Sequence, residues 1–177
     1  MTLAELIMTR VSHDLAGICG ALYNTAELLE IDPTFAGESG GVIKNSTKAL
    51  TDRLKFFRAL FGLDGAMFDN QIVLAYLKTL SADFSLTGMI SNRAQLAGIM
   101  ICTDTMIRGG QIQVSENKII GNGFIRADEQ LGQALIGTLE NIGPKMAPAA
   151  WLSNWAKCHG SSIHLNVQED QIVLSFL

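Results

Sequence analysis

The sequence predicts an α+β protein, an N-terminal antiparallel helical hairpin followed by an α/β sandwich. Three observations lead there. Apolar residues recur at spacings of three and four up to Gly62, composition shifts just after it, and the remainder sets runs of strand beside runs of helix without regular alternation.

The first helical pattern runs from about Thr2 to Glu30. Its apolar seam is Met8, Val11, Leu15, Ile18, Leu22 and Leu29, with Thr25 filling the one gap. Ile31-Asp32-Pro33-Thr34 breaks it, because proline disfavours helical geometry in the residue before it. Gly37, Gly40 and Gly41 are expected in the turn region that follows. A second pattern begins near Glu38 and carries Ile43, Ser46, Leu50, Arg53, Phe57 and Leu60 before Phe61-Gly62 stops it. Two such helices joined by a short turn form a hairpin that cannot bury both apolar faces alone. Pairing with a second copy gives a four-helix bundle, so a homodimer is expected; the alternative is that the second half of the chain covers the seam.

Leu63-Asp64-Gly65-Ala66 reads as a linker, dividing the chain into domains at 1–62 and 66–177. Beyond it, helices are predicted over Asn70–Ser81, Asn92–Ile107, Asp128–Thr138 and Pro148–His159, the last ended by Gly160. Arg108-Gly109-Gly110 is read as closing the apolar helix before it. Strands are predicted at Phe84–Gly88, Gln111–Ser115 and Lys118–Gly121, and a terminal hairpin at Ser162–Val167 and Gln171–Phe176. Gly121-Asn122-Gly123 is read as a turn, since no aspartate precedes it and no phosphate-cradling run follows.

With 177 residues, 48% of them apolar and 17% charged, the chain is a folded globule and not a disordered one. A net charge of −4 and the lack of any basic stripe argue against nucleic acid as a partner. The N-terminus is amphipathic from Leu3 onward, unlike a secretory leader. The densest apolar stretch, Ala94–Met106, carries Asp104 and falls short of the roughly 18 to 20 residues that span a bilayer. A cytoplasmic protein without membrane contact is therefore expected. Cys19, Cys102 and Cys158 have no metal-ligand spacing and are expected to pack as small apolar residues in a reducing compartment.

The candidate chemistry sits in the middle of the first helix. At 100° per residue, His13 lies roughly 180° from the midpoint of Val11 and Leu15, away from the seam. Arg10, Gly17, Gly20 and Asn24 fall on or beside that outward face, a small and polar strip that a partner's surface can approach closely. A neutral imidazole is a good nucleophile near neutral pH and can take a phosphoryl group held in line by another protein. Asp14, about 100° further round, can bond the imidazole N–H and fix its tautomer. Arg10, one turn earlier, can steady phosphate oxygens.

The other candidates are structural. His159, before Gly160, complements the end of a helix, and His164 alternates with Ile163 and Leu165 on a strand surface. Trp151 and Trp155 staple their helix to the sheet, Asp104 is an exposed edge residue, and Ser12-His13 lacks the surroundings of a catalytic serine.

Ser12-His13-Asp14-Leu15, followed by Asn24-Thr25-Ala26-Glu27-Leu28-Leu29-Glu30, resembles the first helix of the ChpT-type histidine phosphotransferases of alphaproteobacteria. In that family a histidine–aspartate pair precedes an Asn-Gly-Leu-Glu-Leu-Leu-like segment. Phe56-Phe57-Arg58-Ala59-Leu60-Phe61-Gly62 is similar to the end of the family's second helix, and Arg108-Gly109-Gly110 to its Arg-Gly-Gly. These matches span both halves in family order. The chain departs at Gly17-Ile18, where the family usually has Ser-Pro.

The resemblance implies a dimer built on a histidine-kinase-like hairpin, with a degenerate ATPase-like domain behind it. It implies phosphoryl relay between receiver-domain aspartates of two-component signalling proteins, with response-regulator receivers and a hybrid histidine kinase as partners. On that reading His13 is the carrier and Asp14 the acidic neighbour. No ATP is expected to bind, because Met100, Ile101 and Cys102 stand where the superfamily needs polar magnesium-binding side chains. Any magnesium ion belongs to the receiver, since no acidic cluster here resembles a metal cage. The alternative is a non-catalytic dimeric adaptor that docks receivers or kinases.

Overall fold

A 29-residue helix, α1 (Leu3–Ile31), opens the computed structural model, which describes residues 1–62, 68–138, 140 and 142–177. Its start is a capping box. The Glu5 amide donates to Thr2 Oγ1 at 3.2 Å, and the Thr2 amide donates to Glu5 Oε2 at 2.7 Å. Its end is the predicted break. Asp32, extended ahead of Pro33, accepts from the Thr34 amide at 2.9 Å and starts a 3₁₀ turn over Pro33–Phe35.

That turn runs straight into α2 (Ala36–Phe61), so Gly37, Gly40 and Gly41 lie inside the helix and not in a turn. A proline at the first turn position already supplies the reversal, and a helical glycine costs only about 1 kcal/mol. Helix α2 packs along α1 and stops at Gly62, whose amide bonds the Arg58 carbonyl. The linker expected at Leu63-Asp64-Gly65-Ala66, and with it the start of the second domain, lies outside the described residues.

The remainder runs α3 (Asn70–Leu77), β1 (Phe84–Thr87), α4 (Arg93–Thr105), β2 (Met106–Ser115), β3 (Lys118–Ile125), α5 (Gln130–Leu135), α6 (Ala147–His159), β4 (Ile163–Val167) and β5 (Gln171–Phe176). The architecture is α+β, with a mixed five-stranded sheet in the order β1-β2-β3-β5-β4. Only β1 and β2 are parallel; the other neighbours are antiparallel. Ile112, Ile119, Ile172 and Leu174 on the sheet are fully buried, as are Leu96, Ile99 and Met100 of α4. Gly98 allows the close approach, because a Cβ there would lie 2.3 Å from Ile119 Cδ1.

Two glycine-rich stretches are strand, not a helix end or a turn. Helix α4 ends at Thr105, and β2 starts at the next residue, so Arg108-Gly109-Gly110 lies within a strand. Gly109 has φ 82° and Gly110 φ 149°, and the β2–β3 register is interrupted between Met106 and Gly110. These glycines supply a bulge that lets β2 bend toward β1, where the Gly110 amide bonds the Asp83 carbonyl at 3.0 Å. Gly121-Asn122-Gly123 is not a turn either. It pairs with β2 on one side, and Gly121 and Asn122 pair with β5 on the other.

The hairpin base enters the same core. Leu6, Phe56 and Leu60 are fully buried, Phe56 stacks on Tyr76 with centroids 3.9 Å apart, and Phe61 meets the edge of Trp151. Trp151 therefore ties α6 to the hairpin. At the other end, Tyr23, Leu28, Ile31, Phe35 and Val42 are exposed. Met8 is exposed as well, because it lies roughly 60° round the helix from Val11 at the edge of the seam.

Cys102 is buried, and burial pushes its thiol up to about 12, but Cys19 and Cys158 are exposed on helix surfaces and not packed. Lys44, Lys48 and Lys55 share one exposed side of α2 with Asp52, which accepts from Lys48. Among the described residues, no helix is long and apolar enough to cross a membrane.

Candidate functional site

His13 stands where α1 leaves the α/β half. Leu6, two turns earlier on nearly the same face, is fully buried, whereas the His13 side chain is 78% exposed. Beyond it Gly17 and Asn24 are exposed and Gly20 is half-buried. The helix is unbroken through Gly17-Ile18. His159 is also exposed, but its Nδ1 lies 2.8 Å from the Trp155 carbonyl at the end of α6, a helix-end contact; His164 is exposed on β4.

Asp14 is tucked beside His13, its side chain 13% exposed, with Oδ1 3.4 Å from His13 Nδ1. That separation is long for a hydrogen bond. Its other oxygen, Oδ2, accepts from Arg10 Nε at 2.7 Å.

Arg10 does not share the outward face with His13. It is only 5% exposed, and its Nη1 and Nη2 donate to Asp104 Oδ2 and Oδ1, each at 2.8 Å. Three residues before His13 is about 60° round the helix, enough to turn the guanidinium inward onto α4. The fork is thus committed to two carboxylates and is not displayed to a partner's phosphate. Asp104 is likewise no exposed edge residue. Its acceptance of both Nη groups bridges the hairpin and the α/β half.

The electrostatics follow from this burial. Burial lowers the proton affinity of the Arg10 guanidinium, but Asp104 and then Asp14 outweigh it, so Arg10 stays firmly charged. Burial raises the Asp104 carboxyl above the usual carboxylate range, and the Arg10 charge and hydrogen bonds offset only part of that rise. Bidentate acceptance from Arg10 is the geometry of the ionised form.

A second arginine fixes the same turn. Arg53 Nη1 donates to the Asp14 carbonyl at 2.9 Å, while its Nε and Nη2 donate to the Thr79 hydroxyl and carbonyl, both at 3.0 Å. Asp14 is therefore held by α4 through Arg10 and by α2 and the turn after α3 through Arg53. Sequence reasoning missed these roles, although both residues carried a signal: a charge in an otherwise apolar stretch, Arg53 in the α2 seam and Asp104 in α4.

Beside His13 a cleft of about 530 Å³ opens between the hairpin and the α/β half, bordered by Arg53, Ala82, Ile107 and Lys145. A second cleft of about 400 Å³ lies past Asp104, bordered by Thr105, Arg126, Asp128 and Lys145. Among the described residues, no three His, Cys, Asp or Glu side chains gather as a metal site would require.

No protein-family profile matches the chain, and no curated protein matches it. Among solved structures, a bacterial phosphotransferase superposes with a TM-score of 0.80 at 21% sequence identity, covering 99% of this chain and 95% of that one. The likeness shows a shared fold across nearly the whole length of both. The Acinetobacter baumannii histidine kinase AdeS gives a TM-score of 0.36 at 14% identity over 93% of this chain and 95% of that one, too low to bear on the fold.

Proposed function

We propose that the chain is a histidine phosphotransferase that relays phosphoryl groups between receiver-domain aspartates through a phosphohistidine at His13. The observation that carries this reading is an imidazole 78% exposed on a long helix with a carboxylate beside its Nδ1. A fold shared end to end with a bacterial phosphotransferase supports it.

In the proposed step the neutral ring keeps its proton on Nδ1, against Asp14, and Nε2 attacks the phosphorus of a receiver's aspartyl phosphate. The N–P bond forms as the acyl-phosphate P–O bond breaks, and the electron pair leaves with the receiver carboxylate. The phosphorylated ring is cationic, and Asp14 stabilises that charge; the reverse step hands the group to a second receiver. Magnesium is assigned to the receivers. With Arg10 turned inward, the surface left to a partner is His13 with Gly17, Gly20 and Asn24.

The α/β half is read as a degenerate ATPase-like domain that binds no ATP. Met100, Ile101 and Cys102 support this by filling the core, where a kinase would need polar side chains. A homodimer is proposed through the hairpin tip, whose exposed Tyr23, Leu28 and Ile31 give a second copy an apolar surface to cover in a four-helix bundle. Response-regulator receivers and a hybrid histidine kinase are the proposed partners, and the cytoplasm the proposed location.

The test is label transfer from receiver domains phosphorylated with isotopic acetyl phosphate. Acid-labile label on the wild-type chain and none on His13→Ala is expected. Label that survives His13→Ala ends the carrier reading; receiver binding without any phosphohistidine replaces it with the adaptor.

A further inference from the structure

Asp14 has two oxygens and two neighbours that want them. Arg10 takes Oδ2 through Nε, and Oδ1 is left facing His13 Nδ1. This division depends on a residue distant in sequence. Guanidinium and carboxylate pair side by side through two N–H groups where they can. Here the two-pronged face of Arg10 is spent on Asp104 of α4, not on Asp14.

We propose that Arg10 and Asp104 are positioning residues for phosphoryl transfer at His13. Asp104 holds the Nη edge of Arg10, so that Asp14 meets only Nε and keeps one oxygen for the imidazole. This inference rests on the reading of His13 as the carrier.

Asp104→Asn keeps one accepting oxygen and replaces the other by a donor, which frees one Nη group for the other carboxylate on Arg10, Asp14, whose Oδ1 faces His13. Once that oxygen turns to Arg10, Nδ1 loses its acceptor and the ring reverts to its intrinsic preference for a proton on Nε2. Nε2 is the atom whose lone pair must form the N–P bond. The bonds made and broken are unchanged, but a smaller fraction of the protein stands ready to react. A buried ion pair that merely joined the hairpin to α4 would not move the ring's tautomer.

The experiment compares wild type, Asp104→Asn and Arg10→Lys, with thermal melting recorded for each. Ring ¹⁵N chemical shifts of His13 report the tautomer. The rate of ³¹P-detected phosphohistidine formation from phosphoramidate reports the nucleophile without any partner protein. In that reaction Nε2 bonds to phosphorus and the reagent's P–N bond breaks, releasing ammonia. Transfer from a phosphorylated receiver is followed in parallel.

Wild type should hold the Nδ1–H tautomer. Asp104→Asn should shift it toward free histidine and slow both transfers by on the order of tenfold. Arg10→Lys keeps the charge but not the fork, and should behave alike; it decides the matter if Asp104→Asn fails to fold. Folded variants with wild-type tautomer and rates overturn the positioning role and leave the carrier reading standing. A wild-type chain that takes no phosphoryl group from a receiver overturns the carrier reading, and with it this inference.

Discussion

At its base the hairpin is core: Leu6, Phe56 and Leu60 have no exposed surface, and even Arg10 is enclosed. At its tip, on the same two helices, Tyr23 and Ile31 are 64% and 83% exposed. Leu6, Tyr23 and Ile31 are all apolar residues of α1 outside its main seam. What changes is whether this chain supplies the opposite surface. Periodicity announces that a helix face will be buried, but not by whom, and His13 lies at the boundary between the answered and the unanswered end.

Substitution should tell the two ends apart most clearly at the base. Phe56→Ala removes a ring stacked between the hairpin and α3, and should destabilise the fold by about 3–5 kcal/mol, read from urea denaturation. The same substitution logic at the tip should give a different kind of answer. Leu28→Ser with Ile31→Ser should change the stability of the single chain by less than about 1 kcal/mol while weakening self-association, measured by sedimentation across a concentration series. Large loss of stability without a change in association would mean that the tip is already satisfied within one chain.

The smallest effect should be common to both ends. Glu5 at the start of α1 is held below the usual carboxylate range by its hydrogen bonds from the Thr2 amide and hydroxyl, and Asp32 at the end by those from the Thr34 hydroxyl and amide. A carboxyl with a depressed folded value adds stability above its ordinary range, and that stability disappears as pH falls through the folded value. Below about pH 4, amide exchange at both ends of α1, corrected for its intrinsic slowing in acid, should quicken before the middle of the helix responds. Quickening at one end only would show that the ends are not capped alike.

Local signals were easy to read. The break at Pro33, helix α6 ending in left-handed Gly160, and the terminal strand pair all depend on neighbours in sequence. The glycines of β2 and β3 misled because glycine marks turns, bulges and close approaches alike, and only the strand alongside decides which. Arg10 misled because α1 buries two faces, one along α2 and one against the α/β half, and only the first has an uninterrupted seam. The exposure of His13 followed from that seam; its link to Asp104 spans 94 residues and left no trace beyond an acid in an apolar helix.

The passage from α4 into β2 occurs with no connecting residue, and the Thr105 carbonyl at that joint is further pinned by the Arg126 amide at 2.8 Å. Asp104 thus has no hinge of its own. Should the sheet ever tilt against the hairpin, the joint cannot bend to keep its grip, and the strain falls on the fork of Arg10 as well as on the core the two halves share.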